Sequence, residues 1–196
     1  MSLEEFYKEL SYINASRENR MKYANMVLND MGLFPKLIDI LFMVDDKVSS
    51  RAAWVFEFVC AKYIYAIVPY LETFTKNINK IHLDSSVRPV SKVCEFITKE
   101  YYSKNPNTIK NTLSPQHKER IIEACFDWMI SDQKVAPKVY AMESLFLYGR
   151  DNDWIHPELT QILEQDFQKQ SAAFKARAKR TLLKIKKSNA RSLKKS

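Results

Sequence analysis

Two glycines stand among 196 residues, where average usage of about 7% would supply roughly fourteen. Loops that cradle phosphates need glycine for positive φ and close backbone approach, so neither a P-loop nor a dinucleotide-binding fingerprint can be drawn. Tight β-hairpins favour glycine or Asn-Gly turns, and the chain has no Asn-Gly. Gly32 and Gly149 each follow an apolar-periodic segment, which predicts helix C-caps. Cysteine is sparse too. Cys60, Cys94 and Cys125 form no CxxC pair, and an odd number without a secretory signal predicts reduced thiols in a cytoplasm. The opening MSLEEFYKEL is charged from residue 4, unlike a signal peptide, and no run of about 18 apolar residues predicts a membrane span.

Metal-ligand spacing is also missing. His82, His117 and His156 show no His-x3-His or His-Glu-x2-His pattern and fall at helix junctions or first turns, where surface or capping roles are expected. The cysteines have no histidine and acid set for nucleophilic catalysis. The expectation is a protein without catalytic residues, metal or cofactor.

What is present is a core-forming composition: 46% of residues are hydrophobic and 12% aromatic, enough for one domain, expected over residues 1–187. The net charge of +8 is uneven, because the segment from Lys169 to Ser196 holds eleven Lys and Arg and no acid, leaving 20 basic against 23 acidic residues before it. A uniform basic coat for nucleic acid is thereby excluded, and a basic flexible tail is expected over 188–196. Within the basic end, Phe174, Ala178, Leu182 and Ile185 form one stripe. Around it Lys175, Arg177, Lys179, Arg180, Lys184, Lys186 and Lys187 make a candidate polyanion-binding set.

Apolar spacing at i, i+3, i+4 and i+7 predicts ten helices, at 3–13, 17–31, 34–44, 48–64, 67–79, 86–102, 115–131, 135–148, 154–167 and 171–187. Pro35, Pro69, Pro115 and Pro157 are expected in first turns, where a missing N–H costs nothing, and Ser114 and Asp153 are expected N-caps. An acid followed eleven residues later by glutamate recurs as Asp46 with Glu57, Asp84 with Glu95 and Asp132 with Glu143. The second and third copies also share Val87 with Val135 and Pro89 with Pro137, and the polar insertion SKNPNTIKNT, 103–112, is expected to be a loop.

A helix pair recurring about every 38 residues marks an α-solenoid. The stretch LFMVDDKVSSRAAW, with Asp45 in the turn and Arg51 six residues on, resembles the HEAT and armadillo-like families, and Asp132 with Lys138 repeats that spacing. The resemblance implies an all-α, right-handed superhelix of about five helix pairs. It also implies Asp45, Arg51, Asp132 and Lys138 as turn-to-turn ties, and second helices lining a concave surface. There the repeated row of Trp54, Glu57, Arg88, Lys92, Glu95, Tyr140 and Glu143 is the candidate partner-binding set. The implied role is a non-catalytic cytoplasmic scaffold for a protein, with nucleic-acid association through the basic helix and the concave cations as the alternative.

Two enzyme families also share features. SSVRPVSK, 85–92, resembles the serine loop of the adenylosuccinate lyase and fumarase superfamily, a name that small bacterial HEAT-like proteins similar to this chain often carry. Ser85, Ser86 and Pro89 match, whereas Asp84 replaces the hinge glycine, Arg88 the methionine, and Asn-Pro is absent. Trp54, Trp128 and Trp154 resemble the aromatics of HEAT-like DNA alkylpurine glycosylases, but no aspartate joins Trp54, Arg51 and Glu57 on their helix face.

Overall fold

A computed structural model describes residues 1–192, without the side chains of 166, 169, 191 and 192. It is all-α: eleven α-helices, no strand among the described residues, and two compact units, Met1–Ile121 and Ile122–Ser196. Every segment with helical periodicity forms helix. Among the described residues no single helix is long and apolar enough to cross a membrane.

In the first unit, α1 (Leu3–Leu10) opens with a capping box in which Ser2 and Glu5 bond each other's backbone N–H. Helix α2 (Arg17–Asn29) is capped by Ser16, and α3 (Phe34–Leu41) carries Pro35 in its first turn. At α4 (Lys47–Lys62) the Asp46 side chain accepts the Val48 N–H at 2.7 Å and the Tyr7 hydroxyl at 2.7 Å. These bonds hold the Asp46 carboxyl below its ordinary range, Tyr7 having the larger effect. Helix α4 packs against α1, α2, α3 and α6 (Asp84–Tyr101), and burial of Val48, Val55, Phe56 and Val59 on it removes four large apolar side chains from water. Each contributes about 1.5–3 kcal/mol.

The helix expected at 67–79 is broken. Residues Ile64–Tyr70 form a 3-10 helix, α5 spans Leu71–Asn77, and a second 3-10 turn covers Ile78–Lys80. Pro69 lies near the end of the first of these rather than in the first turn of α5. Without an N–H it cannot continue an α-helical ladder, and the chain changes pitch there. Phe34, Phe56 and Phe74 lock this irregular stretch to α3 and α4, with ring centroids 5.8 and 5.5 Å apart. The insertion expected as a loop contains one short helix, α7 (Thr108–Thr112), capped by Asn107 and seated by the fully buried Ile109.

Helix α8 (Pro115–Ile130) holds the division between the units. Its start is closed by Ser114 and His117, each side chain accepting the other's backbone N–H, so the expected Ser114 cap is present and His117 is a capping residue. The second unit continues with α9 (Val135–Tyr148), α10 (Ile155–Asp166) and α11 (Ala172–Ser192), and α9 packs against both of the others. Helix α11 extends five residues past the expected boundary at 187. The remainder of the expected tail, 193–196, lies outside the described residues.

Of the two expected glycine caps, the one at Gly149 is present and the one at Gly32 is not. Neither has positive φ. The residue that caps the end of α2 is Asp30, whose carboxylate accepts the Gly32 N–H at 3.0 Å. Gly149 does occupy the C-cap of α9, in right-handed conformation, and its need for glycine is steric: a Cβ there would lie 2.1 Å from Cδ2 of His156. That histidine is no surface residue. Its ring is buried, lies 5.5 Å from the Phe146 ring at an interplanar angle of 15°, and its Nε2 is 2.9 Å from the Phe146 carbonyl oxygen. Asp153 does not cap α10, which starts at Ile155 with Trp154 at the capping position.

Candidate cation groove on helices α2, α4 and α6

Proline and tryptophan together determine how α4 meets α6. Pro89 lies inside α6 and offers no N–H to the carbonyl of Ser85, four residues earlier. That oxygen accepts instead from the indole Nε1 of Trp54 on α4, at 3.0 Å. The sequence places Pro137 in register with Pro89, yet Pro137 sits in the first turn of α9, where no bond is lost. Ser50 and Ser86 make a second link between the same two helices, a buried hydroxyl pair at 2.8 Å. Of the two serines of the lyase-like stretch, Ser86 is thus buried with its hydroxyl engaged in the helix packing, whereas Ser85 is exposed and contributes its backbone carbonyl.

One turn beyond Trp54, Glu57 receives both guanidinium nitrogens of Arg88, at 2.6 and 3.2 Å. The glutamate side chain is only 12% exposed and the arginine 33%, so the pair is partly desolvated and bidentate, the stronger form of such a bond. Three further cations come from neighbouring turns. Arg20 on α2 lies over the rings of both Trp54 and Phe58, 5.8 and 5.3 Å from their centroids, and its Nε donates to the Ser16 carbonyl at 3.3 Å. Lys62 donates to the Asn25 side-chain oxygen at 2.8 Å. Arg17 is exposed and meets no carboxylate among the described residues.

These side chains, with Met21 and Ala61, line a groove of about 640 Å³. Four cations share it with a single carboxylate. Arg20 and Lys62 are oriented by neutral groups, ring faces, a carbonyl and an amide, so their positions are set without their charge being neutralised. Of these lining residues, the sequence singled out Glu57 and Arg88. Arg17, Arg20, Lys62 and Phe58 were missed, although Arg17 with Arg20 at i, i+3 and Trp54 with Phe58 at i, i+4 are pairs that a helical wheel places side by side.

The other candidates fall in different surroundings. Lys92 and Glu95 lie further along α6, where the buried Glu95 carboxylate receives Lys92 and, at 2.6 Å, Lys99. Its acceptor capacity is met within its own helix. Tyr140 and Glu143 belong to the second unit, on α9. There Glu143 receives Lys184 of α11 at 2.9 Å to both oxygens, and the Lys184 ammonium also lies 4.9 Å from the centroid of Phe146. Arg150, Lys187 and Ser188 complete a second groove of about 480 Å³.

Of the expected ties between turns, Asp45 and Arg51 take other partners. Asp45 lies 3.4 Å from His82, Arg51 donates to the Ser11 carbonyl, and Lys138 is buried. On α11, Phe174, Ala178 and Ile185 are buried and Leu182 is half-buried, which fixes the basic face outward. Lys179, Arg180, Lys186 and Lys187 are exposed; Arg177 is half-buried. Lys175 donates to the Gln168 carbonyl at 3.1 Å, and the Lys175 and Lys179 ammonium groups lie 5.9 and 5.7 Å from the Phe167 ring centroid. Among the described residues only Lys184 of this set meets a carboxylate.

All three thiols are buried. Burial pushes Cys125 up to about 12 and Cys60 higher still, so both remain protonated at neutral pH and neither is poised as a thiolate nucleophile. No family model, no curated protein and no solved structure matches the chain.

Proposed function

We propose that the chain is a non-catalytic HEAT-like α-solenoid of about five helix pairs that acts as a cytoplasmic scaffold, binding a protein partner on the face formed by α2, α4 and α6. The side-by-side packing of α2 with α4 and α4 with α6, the second members of successive pairs, supports the architecture, as does that of α9 with α11 in the second unit. The observation that carries the binding role is the groove on this face, in which Glu57 and Arg88 hold one another while Arg17, Arg20 and Lys62 keep their charge. A photo-crosslinking residue placed at Met21, within the groove, and another at the exposed Asp39 on α3 would test it in cell extract with and without nuclease. Protein adducts are expected at 21 and not at 39. Equal labelling at the two positions, or adducts lost on nuclease treatment, would refute a protein-binding face here.

A second reading rests on α11, whose outward Lys179, Arg180, Lys186 and Lys187 meet no carboxylate among the described residues. Such a row suits a polyanion. Binding to duplex DNA would then weaken steeply with salt, with a logarithmic slope of about −0.9 per phosphate neutralised. A slope near zero would remove this reading.

A further inference from the structure

Resting on the scaffold reading for the protein nature of the partner, we infer that the groove on α2, α4 and α6 is the seat of an acidic peptide segment. Its carboxylates meet Arg17, Arg20 and Arg88, and an apolar side chain between them rests on Phe58. Charge complementarity is the first argument. Four cations line about 640 Å³ beside one carboxylate, leaving a net charge of three to be matched from outside. Fixed guanidinium groups form the recurrent means of recognising acidic motifs.

The second argument is preorganisation. Arg20 is held by two ring faces and a carbonyl, and Lys62 by an amide oxygen. An incoming carboxylate therefore finds donors already oriented and breaks no ion pair to reach them. Glu57 takes the role of a holder: it orients Arg88 rather than contacting the partner.

Two features favour a peptide over a nucleic-acid strand. A carboxylate lies among the cations, which would repel a continuous line of phosphates. Part of the wall is also apolar, with Phe58, Met21 and Ala61 offering a place for a side chain that a phosphate backbone lacks. The volume lies within the ~300–1,000 Å³ range of sites that take a compact ligand or a short segment.

The test uses the full chain and a fluorescein-labelled peptide of four glutamates flanking one leucine, followed by fluorescence anisotropy at low salt. Arg20→Glu is expected to weaken binding about tenfold or more, and Arg17→Glu by a smaller factor. Arg17 is exposed, so its reversal keeps the test valid even where Arg20→Glu disturbs packing. Glu57→Gln is expected to weaken binding, because Arg88 loses the bidentate carboxylate that orients it. Reversal of Lys186 and Lys187 on α11, which do not line this groove, should weaken binding less than Arg20→Glu does.

Loss of binding in the α11 variant with none in Arg17→Glu and Arg20→Glu would overturn the site. Unchanged or tighter binding by Glu57→Gln would overturn the holder role. A peptide without leucine binding equally well, or a single-stranded oligonucleotide of equal charge displacing the peptide, would overturn the acidic-peptide assignment. Crosslinks to protein at Met21 that persist undiminished in Arg17→Glu and Arg20→Glu would overturn this inference while leaving the scaffold standing. Charge-dependent peptide binding without such protein crosslinks would instead overturn the scaffold.

Discussion

The groove beside Glu57 and the groove beside Glu143 start from the same arrangement and end with different electrostatics. In each, a glutamate is gripped by a cation from the next second helix of a pair, Arg88 of α6 or Lys184 of α11, beside a phenylalanine. In the first unit the grip is a bidentate guanidinium, and the surplus cations are held by rings and neutral oxygens. In the second it is a single ammonium, which also lies over Phe146. The third glutamate of the series, Glu95, has neither arrangement and pairs with Lys92 and Lys99 on its own helix. A repeated sequence position therefore sets where a carboxylate emerges, while the neighbouring helix decides what it does there.

The largest effect should come from testing what supports each groove. Gly149→Ala drives a methyl group into the buried His156 ring at the end of α9 and is expected to cost about 3 kcal/mol. Gly32→Ala, in the first unit, meets only the Asp30 carboxylate at 3.0 Å and should stay within about 1 kcal/mol of neutral, since alanine also restricts the unfolded chain. Urea denaturation of both variants would check this. A Gly149→Ala protein of normal stability would show that the histidine can move aside, and that the second groove lacks a rigid base.

A smaller effect, about 2 kcal/mol, is expected for Arg88→Ala, which leaves the mostly buried Glu57 without its partner. Lys184→Ala should cost about 1 kcal/mol, because one ammonium is replaced more readily by water. Double-mutant cycles with Glu57→Gln and Glu143→Gln measure the two couplings directly. Equal couplings would erase the distinction drawn between a bidentate and a single-point grip.

Trp54→Phe sharpens the comparison at the helix junction. It retains a ring for Arg20 but leaves the Ser85 carbonyl with no donor from Trp54 or Pro89, for an expected loss of about 1 kcal/mol. Pairing it with Pro89→Ala, which restores an N–H to that carbonyl, should recover part of the loss. No recovery would mean that the indole acts by packing alone.

The smallest effect is one of pH. Helix α4 begins at a carboxylate cap, Asp46, whereas the cap residue of α9, Lys134, makes no side-chain cap bond. The Asp46 carboxyl is held below its ordinary value of 3.8 by the Tyr7 hydroxyl and then the Val48 N–H. Its contribution is therefore complete above 3.8 and is lost as pH falls through the lower folded value. Asp46→Asn should be destabilised by less than about 1 kcal/mol at neutral pH, with the difference from wild type vanishing in acid. A difference independent of pH down to the acid range would remove the ionised cap from the account.

Periodicity alone was enough to locate ten helical segments, because burying one face of a helix forces apolar residues to recur every three or four positions. It could not show that 64–80 breaks into 3-10 and α pieces, since the pitch change depends on how Pro69 is accommodated against packed aromatics. Nor could it reveal α7, whose single buried Ile109 is too little signal in a polar stretch. The candidate site was legible only in part. Glu57 and Arg88 stood out through the repeat, but Arg17, Arg20 and Lys62 follow no repeat and become neighbours only when α2 packs beside α4.

What the sequence determined by itself was helix: the near absence of glycine, the spacing of apolar residues, the capping serines and the acid-free basic end are all local or compositional properties. Which charges meet was decided by tertiary structure alone. Glu57 lies 31 residues from Arg88 and Glu143 lies 41 from Lys184. Ion pairing across such separations depends on helix packing that brings the groups within a few ångströms and removes water from around them, and Coulomb attraction becomes selective only at that range and in that medium.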